Sequence, residues 1–343
     1  MALVMHINTF DFDLPQELIA QSAIKTRDES NLMVVSSSTE SITHTQFKSI
    51  GDFLDSNCVL VLNNSKVFNA RLIGEKYTSA QIEIFLTEQL TETSWKCLIK
   101  PLKRVSAGDI ILFSNKLRGK IITKDTFSTI SFEFSGNFFD IIDEIGLPPL
   151  PPYIKADDPK TFQESYQTTY AKHPGSIAAP TAGLHFTTPL INSLKAASIP
   201  IEMITLHVGY GTFQPIRVEK ITDHEIHKER YYIDPQTASR LTKYKKEGKK
   251  IVSVGTTTTR TLETAFQPDN TLLSGSHSSD LFIYPGYKFK FVDAMITNFH
   301  LPKSSLFMLV CAFGGIDLLQ QAYAQAIKNK YRFYSLGDAM LLI

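Results

Sequence analysis

Cysteine is scarce in this chain. The three residues, Cys58, Cys97 and Cys311, form no CxxC pair. That spacing gives neither a disulfide framework nor a structural zinc pattern, and it fits a reducing compartment. Long apolar runs are lacking too: the most apolar stretch, Leu306 to Phe313, is far short of the roughly 20 residues that span a bilayer. An excess of one charge is also absent. Lys and Arg number 35 against 34 Asp and Glu, net +1, so no global field draws the chain to nucleic acid or lipid. The opening MALVMHINTF has no basic segment ahead of an unbroken apolar one, so no secretory signal is expected and the expected location is cytoplasmic. Several nucleotide, metal and acyl-transfer signatures do not occur: GxxxxGK[ST], an early GxGxG, HExxH and GxSxG. His224 and His227 are three residues apart in DHEIHKERYYI, and the sequence favours a solvated charged loop over a metal pair.

What is present is ample core material: 343 residues, 43% hydrophobic, with 23 Phe and 13 Tyr. That length predicts two domains, because single cores stop growing at roughly 250–300 residues. Short strand-like runs (VLVLNN, IEIFLTE, SWKCLIKP, GDIILF, KIITK, TISFEFS) recur from Val59 to Glu144. They predict a small antiparallel β-barrel or sandwich at 59–148, inserted into an α/β domain made of 1–58 and 149–343. The proline-rich IGLPPLPPYI would carry the chain back across. Helices are expected in FDFDLPQELIAQ, in THTQFKSIGDFLD, after Thr188, in SRLTKYKKEGKK with Gly248 as its stop, and after Ser304 or Ser305. LMVVSS, IEMITLHV and IVSV read as strands. The chain is expected to end in a helix and a polar-aromatic tail.

The stretch Ser176 to Phe213 holds two histidines in small-residue loops, APTAGLHF with His185 and TLHVGYGTF with His207. Gly183, Gly209 and Gly211 would let a ligand approach the backbone. A third histidine, His300, sits in TNFHLPKSS. Thr181, Thr205, Thr212 and Thr297 lie beside these loops and suggest one polar pocket. The strand–glycine–helix junction IVSVGTTTTRTLE places Gly255, Thr256 and Thr257 at a helix start that suits an anion, with Arg260 close behind. No carboxylate or cysteine stands as a ligand partner beside the three histidines, so a metal is not expected. On residues alone the reading stops at an enzyme or ligand-binding protein with a deep polar pocket.

Nine strings carry more: FDFDLPQELIAQ, LVLNNSKVFNARL, PLPPYI, YQTTYAKHPGSIAAPTAGLHFT, TLHVGYGTFQPI, VGTTTTRTLE, FIYPGY, TNFHLPKSSLFMLV and YRFYSLGDAML. In order and without large gaps, they resemble the S-adenosylmethionine:tRNA ribosyltransferase-isomerase family of queuosine biosynthesis. The resemblance implies an α/β domain with an inserted β-barrel. It also implies transfer and isomerisation of the ribosyl part of S-adenosylmethionine onto the 7-aminomethyl group of preQ1 base in tRNA, at the anticodon wobble position. Epoxyqueuosine-tRNA, adenine and methionine would be the products, with no resident cofactor or metal. The partners would be tRNA and S-adenosylmethionine, with no membrane, and the chain would act as a monomer. A tRNA-binding protein of the same fold without turnover is the alternative, and the intact histidine loops weigh against it.

That chemistry assigns expected roles. A base is wanted at the acidic C5′ carbon next to the sulfonium. His185, His207 and His300 are the candidates, the first two preferred because one unit presents both loops. The methionine carboxylate would lie at Gly255, Thr256 and Thr257 with Arg260. Its ammonium would meet Glu263, Asp293 or Asp338, and Asn298 joins the S-adenosylmethionine set. Lys66, Arg71, Lys100, Lys103, Arg104, Tyr153 and Arg332 are the tRNA candidates. Three strings depart from the family's usual pattern. Asn-Asp-Thr-Arg-Val is here Asn63-Asn64-Ser65-Lys66-Val67, which loses a carboxylate and the bidentate reach of arginine. Thr-Gly-Gly is Thr78-Ser79-Ala80, and Met-His-Ser-Glu is Ile226-His227-Lys228-Glu229.

Overall fold

The computed structural model describes residues 5–343 apart from 152, 155–157, 214, 215 and 217, and the side chains of 212 and 213. Its larger body is a nine-stranded mixed sheet. Four strands run parallel at its centre, in the order Ile201–Leu206, Cys58–Asn63, Lys250–Val254 and Ala294–Asn298. Their apolar runs point residues alternately to two covered faces, as parallel strands require. Leu60, Leu62, Val252 and Val254 pack against Leu190, Ile191 and Leu194 of the helix Thr188–Ala196. Val59, Val61 and Ile251 pack on the other side with Leu241 and Leu262, from the helices Pro235–Lys246 and Thr256–Ala265. Beyond Ala294–Asn298 come Ala339–Leu342, Asn31–Ser36 and Ser41–Gln46; beyond Ile201–Leu206 come Glu229–Ile233 and Gly275–Ser279.

The insertion is a closed six-stranded antiparallel barrel built from strands between Arg71 and Phe134. Leu72, Ile84, Trp95, Cys97, Ile121 and Ile130 fill its interior. The helix Phe138–Ile145, capped by the Asn137 side chain, closes one end with Phe138 stacked on Trp95 at 5.6 Å. The fold class expected from the sequence therefore holds, but one edge of the insertion moves. VLVLNN is the central sheet strand Cys58–Asn63, not a barrel strand, because it is buried on both faces.

Two expected helices are absent. FDFDLPQELIAQ forms only short 3-10 turns, Ile7–Phe10 and Gln16–Leu18, held by long-range bonds such as Ala20 N to the Phe333 carbonyl. THTQFKSIGDFLD divides between the edge strand Ser41–Gln46 and a 3-10 segment Phe47–Phe53. Its buried Phe47 and Ile50 are spaced by three, which that tighter turn places on one side. The helix expected after Thr188 is present, with Thr187 rather than Thr188 accepting the capping bond. Ser304 caps Ser305–Gly314, and Gly248 (φ +79°) stops Pro235–Lys246. The tail ends in an unforeseen strand, Ala339–Leu342. Of the proline-rich crossover, the described Leu150 and Ile154 are buried, so it is docked on the body. Among the described residues no single helix is long and apolar enough to cross a membrane.

Candidate active site

All four central strands end on the same rim, and there the sequence places its loops: Asn64, His207, Gly255 and Phe299–His300 each follow a strand directly. Ligands of open α/β sheets bind outside such carboxyl ends. A pocket lies here, lined among others by Ala179, Thr181, Gly255, Thr256, Thr257, Arg260, Thr297, Asn298, His300 and Tyr334. Gly255 has φ +93°, a backbone conformation that only glycine adopts without strain, and it starts the helix Thr256–Ala265. Later hydroxyls of that helix turn inward: Thr258 Oγ1 donates to the Val254 carbonyl (2.7 Å) and Thr261 Oγ1 to that of Thr257 (3.0 Å). Only the first two threonines are left to face the pocket.

Arg260 is held from behind. Its Nη1 donates to Glu229 Oε2 at 2.7 Å and its Nε to the Leu281 carbonyl at 3.0 Å. The second arm of the fork, Nη2, is buried with no hydrogen-bond partner. Asn298 is similar: Nδ2 donates to His185 Nε2 at 3.2 Å, while the buried Oδ1 accepts from nothing. On the pocket wall Tyr166 presents a third unpartnered atom, its hydroxyl, near Ser335 and the Ala179 backbone but bonded to neither. The segment carrying Tyr166 is fixed. Arg27 donates to the carbonyls of Glu164 and Gln167 (2.9 and 2.6 Å), and the Gln167 amide pairs with both Val67 N and Val67 O (3.1 and 2.6 Å). Leaving a buried polar atom unpaired costs about 1–3 kcal/mol. Together the three offer an occupant of the cavity a donor suited to an anion, an acceptor for N–H, and a hydroxyl.

The three histidines do not converge. His300 lines the pocket; Thr297 Oγ1 meets its Nε2 at 2.9 Å and no group bonds Nδ1. His185 is walled off: Ser30 Oγ meets Nδ1 at 2.7 Å, Asn298 occupies Nε2, and Phe47 stacks on the ring at 4.9 Å. With Asn298 donating, the imidazole is neutral and its proton lies on Nδ1. His207 faces a different depression, shared with Arg230, Tyr232 and His277, and its Nδ1 is buried without a partner. Burial pushes all three below the usual imidazole range, His185 and His207 to about 4 and His300 to about 3, so each is neutral at pH 7. His185 and His207, the preferred pair, therefore do not meet in one cavity. They stand on separate loops, either side of the helix Thr188–Ala196 and the strand Ile201–Leu206, and of the three only His300 lines the pocket.

Other expected residues divide in the same way. Thr181, Gly255, Thr256, Thr257, Arg260 and Asn298 line the pocket. Gly183 instead packs on Tyr170, whose hydroxyl would lie 2.1 Å from an added Cβ, and Gly211 packs on His227. Gly209 N donates to Glu229 Oε1 at 3.1 Å, outside the pocket, and the Thr212 side chain lies outside the described residues. None of the three acids is available for an ammonium. Glu263 accepts from Tyr287 Oη and the backbone N–H groups of Lys290, Phe291 and Val292. Asp293 binds Lys245 and Ile251 N at the opposite end of its strand. Asp338 joins Asn31 to Arg332 N, and burial pushes its carboxyl up.

Among the tRNA candidates, Lys100, Lys103 and Arg104 are exposed on the barrel. Lys66 pairs with Asp143 at 3.4 Å, Arg71 with Glu83 at 3.9 Å, and Arg332 binds the Ser22 carbonyl. Tyr153 is no free stacking platform, because Tyr334 already covers its ring at 4.3 Å. Tyr166, Tyr334 and Glu229 were not foreseen as site residues. Their signals are long-range, though the left-handed φ of Tyr334 (+75°) marks the strain that collects at functional walls.

The fold and pocket define an α/β protein with an inserted six-stranded barrel and a polar pocket at the strand ends. Residues 7–342 match the family model described as "Queuosine biosynthesis protein". The S-adenosylmethionine:tRNA ribosyltransferase-isomerase of Desulforamulus reducens is 46% identical over 343 residues, covering 99% of this chain and 100% of that one. Its counterpart in Halothermothrix orenii is 47% identical over 345 residues, at 99% and 100% coverage. The crystal structure of S-adenosylmethionine tRNA ribosyltransferase from Thermotoga maritima superposes with a TM-score of 0.57 at 36% identity, covering 98% of this chain and 100% of that one. The chain belongs to the queuosine biosynthesis protein family.

Proposed function

We propose that this chain is an S-adenosylmethionine:tRNA ribosyltransferase-isomerase. It transfers and isomerises the ribosyl part of S-adenosylmethionine onto the 7-aminomethyl group of preQ1 base at the wobble position of the tRNA anticodon, releasing adenine and methionine. It works as a single chain in the cytoplasm, and S-adenosylmethionine is a consumed substrate rather than a cofactor. Full-length identity of 46–47% to relatives carrying that name supports the reaction. The single observation that carries the site is the trio of unpartnered buried atoms around one pocket: Arg260 Nη2, Asn298 Oδ1 and the Tyr166 hydroxyl.

Each residue then has a task. Arg260 Nη2 and the Thr256–Thr257 helix start take the methionine carboxylate, as a guanidinium and helix N-terminus favour an anion. Asn298 Oδ1 accepts from the ammonium, a task no free acid is placed to do. His300 removes the C5′ proton made acidic by the sulfonium. For that, Nε2–H must donate to Thr297 Oγ1, leaving the Nδ1 lone pair toward the pocket. Tyr166 keeps its proton, since burial pushes the phenol up, and hydrogen-bonds the departing adenine. The cavity holds about 60 Å³, far below the roughly 300–1,000 Å³ of most ligand sites, so the substrate enters by opening the rim.

The test is to incubate the protein with S-adenosylmethionine and preQ1-containing tRNA. Free adenine and a mass gain on the tRNA should appear together. Adenine without tRNA modification, or a methyl group on the tRNA, would sink the proposal.

A further inference from the structure

The antiparallel edge of the sheet carries a second polar depression, of about 460 Å³, separate from the pocket. In the strand Glu229–Ile233, Glu229, Tyr231 and Ile233 are buried while Arg230 and Tyr232 are exposed. Neighbouring strands complete the surface. Arg230 lies opposite Ser278 and Tyr232 opposite Ser276, and His207 N donates to the Arg230 carbonyl at 3.0 Å.

Three properties of this surface point the same way. First, of the arginines described, only Arg104 and Arg230 have a guanidinium without a hydrogen bond or ion pair; the others are tied to carbonyls or carboxylates. Second, the lining contains no carboxylate: it is His207, Arg230, Tyr231, Tyr232, Ser276, His277 and Ser278. The nearest acids are engaged elsewhere, Glu229 with Arg260 and Asp280 with Lys228 at 3.7 Å. Third, a large ring is offered to solvent, with Tyr232 42% exposed, beside the buried unpartnered Nδ1 of His207. The strand His173–Ser176, where the chain returns from the barrel, is pressed against that histidine: a Cβ on Gly175 would come within 2.9 Å of the imidazole. Its exposed neighbour Lys172 extends the cationic surface toward the barrel.

We propose that Arg230, Tyr232 and His207 form a docking site for a single-stranded segment of the tRNA. Arg230 takes a phosphodiester, Tyr232 stacks a base, the hydroxyls of Ser276 and Ser278 bind ribose or phosphate oxygens, and the His207 ring forms the floor beneath them. Free guanidinium next to an exposed aromatic is the combination by which single strands are held. A protein partner is disfavoured by the polar lining. The inference rests on the tRNA reading above, and it adds a mechanical link. One strand holds the RNA through Arg230 on its exposed face, and its buried Glu229 grips the pocket arginine Arg260.

Filter binding of the tRNA at several salt concentrations, with calorimetric titration of S-adenosylmethionine, tests this. Arg230→Glu should weaken tRNA binding at least tenfold and flatten the log K against log salt slope by about 1. Tyr232→Ala should weaken it roughly 5- to 100-fold with an unchanged salt slope. Both should bind S-adenosylmethionine as the parent does, which also reports that they fold. Arg118→Glu, on the barrel, is the control and should bind tRNA normally. If both edge variants bind tRNA like the parent, the docking site is wrong and the function above stands. If the parent itself binds no tRNA, the reading beneath the proposal fails with it.

Discussion

His185 and His300 are both buried, both neutral and both on the rim of the sheet, yet they are built for different work. His185 has a partner at each nitrogen and a phenyl ring on its face. It borders only a small separate cavity beside Arg27 and Ser30, and its link to the pocket is the bond to Asn298. Among the described residues the His300 ring is bonded once, by Thr297, and it lines the pocket. A satisfied imidazole can only hold a neighbour in place, whereas a half-satisfied one still has a nitrogen to offer. Burial alone does not separate them, because it lowers the basicity of both; the hydrogen-bond count does.

The widest separation of the two should come from paired substitutions. His300→Gln should lower kcat by about 10²–10⁴-fold, the span of general-base catalysis, with S-adenosylmethionine affinity little changed. His185→Gln should act mainly on KM, raising it several-fold as Asn298 loses its anchor, and should retain most of kcat. Equal loss of kcat in both variants would erase the distinction.

Acid should reveal what the two share. His185, His207 and His300 titrate at about 4, 4 and 3 when folded, against about 6.5 when unfolded. Below pH 6.5 the unfolded chain takes up protons that the folded one refuses. Their contribution to stability is therefore complete above that pH and is lost as pH falls toward 4. The melting temperature should fall over that window, and less steeply in His185→Gln. A melting temperature flat from pH 7 to 4.5 would contradict the burial of these rings.

The smallest effect belongs to a site far from both. Ser79 holds φ +58° in the turn between the barrel strands Arg71–Lys76 and Gln81–Gln89. A left-handed non-glycine residue costs roughly 1–2 kcal/mol, partly offset by the greater freedom of glycine when unfolded. Ser79→Gly should raise stability by up to about 1 kcal/mol in urea unfolding and leave activity alone. A drop in stability would show the serine side chain to be needed.

Much of the fold was legible because burial on one or two faces writes itself as apolar alternation or apolar runs. VLVLN, IVSV and the barrel strands are examples. What misled was apolar spacing in segments shaped by distant bonds. The three-residue step of Phe47 and Ile50 looks helical, and the turns before Ala20 are fixed by Phe333. In the site, the strand–glycine–helix junction and Arg260 could be read locally, since φ, helix start and cation lie within a few residues. Tyr166 could not be read, because its position depends on Arg27 and Val67, each remote in sequence. Nor could the choice among histidines, which rests on Ser30 and Thr297. The acids proposed for the ammonium failed for the same reason: Glu263 gathers its four donors from Tyr287 to Val292.

The strand Ala339–Leu342 lies between Ala294–Asn298 and Asn31–Ser36, and nothing else in the sheet joins these two. During synthesis the hairpin of Asn31–Ser36 and Ser41–Gln46 therefore emerges early and waits without its sheet neighbour. The exposed edge it shows meanwhile is the kind that pairs wrongly with other chains. His185 waits too, since Ser30 stands at the head of that hairpin while Asn298 ends the strand on the far side of the gap. For this protein the strand Ala339–Leu342 is the keystone that closes the sheet around His185.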